Sequence, residues 1–150
     1  MSFAQEEILR LKDNVQQFIR LFGILEQSVT PCGYSLSLSQ VFALQELEQR
    51  TSSLNDLTAK LGLERSSVSR LIEELVKKEF VHRQLNENNR REVQLTLADK
   101  GINAIQQVRK QSIVYYQLIL KDLTFEEQHS VVSGFEVFVT SLKKNKDNIL

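Results

Sequence analysis

Seven side chains in the middle of this chain have the chemistry to hold a polyanion. Arg65, Ser66, Ser67, Ser69 and Arg70 crowd into one short stretch, and Arg90 and Arg91 stand side by side further along. A short hydroxyl donates to phosphates or base edges without holding a helix away from a groove. A guanidinium presents a planar fork of donors that matches two acceptors on guanine, discriminating by about 1–3 kcal/mol when well placed. It also suits a narrow minor groove, where negative potential concentrates. The chemistry these residues offer is recognition of duplex DNA. Ser and Arg are equally at home on any solvated helix face, so the reading depends on the elements that carry them.

The first cluster sits on a helix pattern. Val68, Leu71, Ile72 and Leu75 recur at i, i+3, i+4 and i+7, which buries one stripe. The remaining face, Ser66, Ser67, Ser69, Arg70, Glu73, Glu74 and Lys77, is left polar. Just before it, Leu54, Leu57 and Leu61 mark a two-turn helix closed by Gly62. The periodicity changes to twofold at Phe80. Val81, Arg83 and Leu85 alternate with His82 and Gln84, and Val93, Leu95 and Leu97 alternate with Gln94 and Thr96. Between them Asn86 to Arg91 reads as a polar turn, which places Arg90 and Arg91 at a hairpin tip. Helix, turn, helix, strand, loop, strand is the order of a winged helix-turn-helix. In that order the second helix enters the major groove by its N-terminal end, and the helix dipole favours nearby phosphates.

Longer helices flank this region. Ile8, Leu11, Val15, Phe18, Ile19 and Phe22 form one face of a helix from about Ala4 to Leu25, and Ser28 to Ser35, with Pro31, breaks it. Ser37 and Gln40 have capping-box spacing ahead of Val41, Leu44 and Leu47. Ile102, Ile105, Val108, Val114, Tyr115 and Leu118 carry a helix from about Ala98 to Leu123. Thr124 and Glu127 cap a last one that displays Val131, Val132, Phe135, Phe138, Val139 and Leu142. The fold class expected is mostly α with a small β wing: a winged helix-turn-helix at 36–97, flanked by dimerisation helices at 1–30 and 98–150. The terminal helices are too apolar to need no cover, and a second copy is the simplest source of it. Two recognition helices about 34 Å apart would then read a palindromic site.

Bulk composition permits this. One hundred and fifty residues, 41% hydrophobic and 25% charged, suit a folded globular chain. Nineteen basic and nineteen acidic side chains cancel, so any polyanion site must be local. From Arg65 to Arg91, seven Lys or Arg stand against four Glu, leaving +3 where the motif needs it. A lone Cys32 excludes an intramolecular disulfide, and there is no secretory signal or membrane-spanning run, so a cytoplasmic location is expected. Neither a phosphate-cradling glycine loop nor a nucleophile motif is present, and no enzyme activity or cofactor is expected. His82 and His129 lack ligand spacing, so no metal site is expected. The rival from another class is a winged helix that binds protein or serves only for dimerisation, consistent with the neutral charge and with Glu73, Glu74 and Glu79.

Taken together, LSLSQVFALQEL, LTAKLGLERSSVSRLIEELVKKEFV and NNRREVQLTLADKG resemble the MarR family of bacterial transcriptional regulators over nearly the full chain, as one MarR-type domain. The resemblance implies an obligate dimer joined by the first, fifth and sixth helices. It implies winged lobes on a palindromic operator, usually repressing until a small molecule or oxidant weakens binding. Three residues depart from the family pattern. Asn89 stands for the Asp that normally orients the wing Arg, here Arg91. Glu79 replaces a glycine after the recognition helix, which predicts a less tight helix end. Ala98 replaces a capping Thr, leaving Thr96 or Asp99 to cap the fifth helix. Family members often bind phenolic or other amphipathic acids between dimer helices and winged lobe. Phe18, Phe22, Tyr34, Phe42 and Tyr115 are the candidates here, with plain core packing as the alternative. Others sense peroxide through a thiol in the first helix. Cys32 follows that helix and has no flanking cation to lower its pKa, so it matches poorly.

Overall fold

A computed structural model describes residues 3–27, 34–86 and 88–149 of the chain. Its elements in chain order are α1 (Phe3–Gln27), α2 (Leu38–Gln49), β1 (Ser52–Ser53), α3 (Leu54–Leu61), α4 (Arg65–Lys77), β2 (Val81–Asn86), β3 (Asn89–Leu97), α5 (Asp99–Leu120) and α6 (Phe125–Ile149). The chain divides into two compact units, Met1–Gln111 and Ser112–Leu150.

Local chemistry sets most boundaries in the first unit. The Ser37 hydroxyl accepts from the Gln40 amide at 3.2 Å, and the Gln40 side chain accepts from the Ser37 amide at 2.9 Å, which starts α2 with a full capping box. Ser53 and Asp56 repeat the device at α3. Gly62 then closes α3 in the left-handed conformation, φ 64°, as its position after Leu61 predicts.

The sheet has three antiparallel strands in the order β1-β3-β2, one more than the hairpin expected from the sequence. Ser52 and Ser53 read as an interruption because two residues carry no periodicity. They nonetheless pair with Leu95 and Gln94 and are buried. In the hairpin Val81 faces Leu97, Arg83 faces Leu95 and Leu85 faces Val93.

One core holds these pieces. Leu44, Leu57, Val68, Ile72, Leu75, Val81, Leu95 and Ile105 are fully buried and come from α2, α3, α4, β2, β3 and the first half of α5. The pattern on α4 turns as expected, with Val68, Ile72 and Leu75 inward and Leu71 half-buried. α1 contributes little to it: its described side chains up to Gly23 are exposed except Val15 and Phe22. In the second unit, Thr124 and Glu127 form the expected capping box, with bonds of 3.2 and 2.8 Å. α6 buries no residue. Ile113, Val114, Leu118, Val131, Val132 and Phe135 are all at least 40% exposed, an apolar surface this chain alone leaves wet.

Candidate nucleic-acid interface

The N-terminal end of α4 is open. Its cap residue Glu64 makes no side-chain bond to the first turn; its carbonyl takes the Val68 amide at 3.0 Å. The first-turn donors therefore have no side-chain acceptor, and they add to the positive pole of the helix. Arg65, Ser66, Ser67 and Arg70 are exposed around that end, and Ser69 is half-buried. All five candidates on α4 thus lie on its accessible part, with Val68 turned into the core between them.

Further along α4, a groove runs against β2, lined by Arg70, Glu73, Glu74, Val76, Lys77 and Arg83. Among the described residues the ion pairs are Arg10–Glu7, Lys12–Asp13 and Arg109–Glu48, none of which involves the groove. Arg70, Lys77 and Arg83 are therefore three cations sharing one concave surface without an ion pair. Arg83 and Lys77 were absent from the candidates drawn from sequence. The available signal for Arg83 was its place among Val81 and Leu85, a charge at an apolar-parity position of a strand.

The hairpin corrects one expectation. Arg90 and Arg91 do not occupy the tip turn; both belong to β3, which begins at Asn89. Asn86 pairs with Asn89, and the next pair is Leu85 with Val93, so residues 90–92 form an irregular, bulged stretch of the strand. A bulge re-aims a strand locally and increases its twist. Asn-rich composition suggested a turn, but cross-strand pairing extended β3 through it.

A second correction concerns Glu79. The end of α4 is as tight as a glycine would make it, because Glu79 itself adopts φ 67°. The Phe80 amide reaches the Leu75 carbonyl at 2.9 Å and the Glu79 amide reaches that of Val76 at 3.0 Å, the two bonds of a Schellman closure. Burial of Phe80 and Leu75, both at most 2% exposed, outweighs the left-handed cost of about 1–2 kcal/mol. The last turn of α4 is also held from outside: Lys100 Nζ donates to the Lys78 carbonyl at 2.8 Å and lies 4.4 Å from the Phe80 ring centre. Of the two proposed caps for α5, Thr96 is engaged in the sheet opposite His82, and Asp99 lies in the first turn.

The aromatic candidates for a ligand pocket are distributed. Phe18 and Phe22 stack on α1 with centres 5.0 Å apart. Tyr34 packs edge-on against Phe80 at 5.4 Å, beside the core. Phe42 stands 46% exposed on α2. Tyr115, in the second unit, packs edge-on against Tyr116. Cys32 lies outside the described residues. Among those described, no group of three His, Cys, Asp or Glu is arranged to hold a metal, and no helix is long and apolar enough to cross a membrane.

Residues 36–93, which carry the accessible helix N-terminus, the groove and the bulged hairpin, match the MarR family model. Over that stretch the chain is similar to the MarR family. Over 140 residues it is 26% identical to the HTH-type transcriptional regulator PrsX of Escherichia coli, covering 93% of this chain and 76% of that protein. Two solved structures share the fold. The MarR family transcription regulator SP03579 superposes with a TM-score of 0.76 at 20% identity, over 95% of this chain and 99% of its own. Streptococcus pneumoniae FabT, solved in complex with DNA, gives 0.76 at 16% identity over 91% and 98%.

Proposed function

We propose that this chain is a transcriptional regulator that binds duplex DNA in a sequence-specific way, as a homodimer on a palindromic operator. One observation carries the reading: the uncapped N-terminal end of α4, with Arg65, Ser66, Ser67 and Arg70 exposed, continues into the groove of unpaired cations Arg70, Lys77 and Arg83. A phosphate backbone would cross those cations while α4 lies in the major groove, with Arg70 toward a base edge. Arg90 and Arg91 on β3 follow as the wing contacts. The crystal complex of FabT with DNA supports the same use of this fold.

Dimerisation belongs to the proposal. The exposed apolar residues of α1, among them Ile8 at 63% and Ile19 at 62%, and those of α6 call for cover, and the operator's symmetry calls for two recognition helices. Repression, with release by a small amphipathic or phenolic ligand, completes the reading; exposed Phe42 and the Phe18–Phe22 stack are surfaces such a ligand would use.

The test is equilibrium binding to the duplex upstream of the chain's own gene and to a random duplex library, across a salt series. DNA binding predicts an affinity that falls steeply with salt, because displaced counterions dominate the free energy. Arg70→Ala is expected to relax base preference; Arg91→Ala and Arg83→Ala are expected to weaken all sequences and flatten the salt slope. Absence of binding to every duplex would overturn the reading and favour a winged helix that docks on protein.

A further inference from the structure

Gln40 is a buried polar side chain, 6% exposed, and its single amide serves two helices. Its oxygen accepts the Ser37 amide in the α2 capping box. Its nitrogen donates to Glu74 Oε2 on α4 at 3.1 Å, across 34 residues of sequence. Glu74 has three cations within helical reach: Arg70 four residues before it, Lys77 three after and Lys78 four after. It makes an ion pair with none of them in this structure, while Arg70 and Lys77 line the same groove as Glu74.

We infer that Gln40 is a positioning residue that engages the Glu74 carboxylate from α2, keeping it out of an ion pair with Arg70 or Lys77 and so leaving those groove cations open to an anionic partner. The inference rests on the DNA-binding reading for the identity of that partner, the phosphate backbone. A carboxylate released from Gln40 has the Arg70 guanidinium and the Lys77 and Lys78 ammoniums within reach along the helix. A Glu placed four residues before a Lys is the favoured orientation for such a pair. A pair with Arg70 or Lys77 would neutralise one of the groove's cations and so compete with a phosphate for it.

The experiment is a double-mutant cycle on the full chain, with Gln40→Met, Glu74→Gln and the combination. Affinity for a random-sequence duplex and the salt concentration that elutes the protein from heparin are read together, with melting temperature recorded for each variant. Gln40→Met is expected to weaken duplex binding about threefold to fivefold per half-site, the scale of one surface ion pair gained by the competitor. Glu74→Gln is expected to change affinity less than twofold alone, yet to restore it in the Gln40→Met background. Ser37→Ala removes the cap but leaves the amide on Glu74, and is expected to lower the melting temperature without altering affinity. Equal effects of Glu74→Gln in both backgrounds would overturn the proposal, as would a Gln40→Met loss that Glu74→Gln does not rescue. If Gln40→Met fails to fold, Gln40→Leu repeats the cycle. A wild-type chain that binds no duplex would overturn the DNA reading itself, and the heparin cycle would still decide the role of Gln40.

Discussion

A Cβ on Gly101 would come within 2.3 Å of the Phe80 carbonyl oxygen. That same carbonyl accepts the Ala98 amide at 3.0 Å, so the first turn of α5 is pressed against the end of α4 with no room for a side chain. Gly to Ala inside a helix ordinarily gains about 1 kcal/mol. Here the backbone oxygen has no side-chain freedom with which to yield, and overpacking costs about 1–3 kcal/mol. Gly101→Ala is therefore expected to lower the urea midpoint. A midpoint that rises would show that α5 can move off Phe80 freely.

Glu79 predicts the opposite sign. A non-glycine residue at φ 67° is held there by the Schellman bonds and by Phe80, and glycine would adopt the same conformation without the steric cost. The greater unfolded-state entropy of glycine removes part of the gain, about 0.5–1 kcal/mol. Glu79→Gly is expected to stabilise the protein by about 0.5–1 kcal/mol with an unchanged denaturant slope, and Glu79→Val to destabilise it.

Lys100 connects α5 to the last turn of α4 by one hydrogen bond and one cation–ring contact. A cation at a helix C-terminus contributes about 0.3–1 kcal/mol where it is part-exposed. Lys100→Met keeps an unbranched apolar side chain and loses the charge and the donor. The expected outcome is a loss of up to about 1 kcal/mol and faster amide exchange confined to the last turn of α4 and the start of β2. Exchange that rises evenly over the whole unit would instead mean a global loss of stability.

The wet apolar faces make a prediction about assembly. Val132 and Phe135 on α6 are 51% and 50% exposed. If a second copy covers them, Val132→Glu combined with Phe135→Glu is expected to give the scattering mass of one chain in place of two. Affinity for a palindromic duplex should then fall much further than affinity for a half-site. A wild-type chain that already scatters as a monomer at micromolar concentration would remove dimerisation from the proposal.

The winged helix-turn-helix was legible because its signals are short-range. The Ser37–Gln40 and Thr124–Glu127 boxes, Gly62, and the inward stripe of Val68, Ile72 and Leu75 each depend on residues within a turn or two of one another. The twofold alternation from Val81 and from Val93 gave the two strands of the hairpin, though not the extension of β3 back to Asn89. The candidate residues on α4 followed from the same stripe, since a helix with one buried face fixes what its other face offers.

What the sequence left open involves partners far apart along the chain. Two serines become β1 only because Leu95 and Gln94 of β3 are present to pair with them. Glu79 turns left-handed because Phe80 must reach the core, a demand that outweighs local backbone preference. Arg83 meets Arg70 and Lys77 across one groove because β2 packs along α4, and Gln40 meets Glu74 because α2 does. Local hydrogen bonding and periodicity fix which segments are helix or strand, since those energies are spent within a few residues. Which cations converge, which acid is held aside and which helix end is strained are decided by packing, where one buried aromatic outweighs several local preferences.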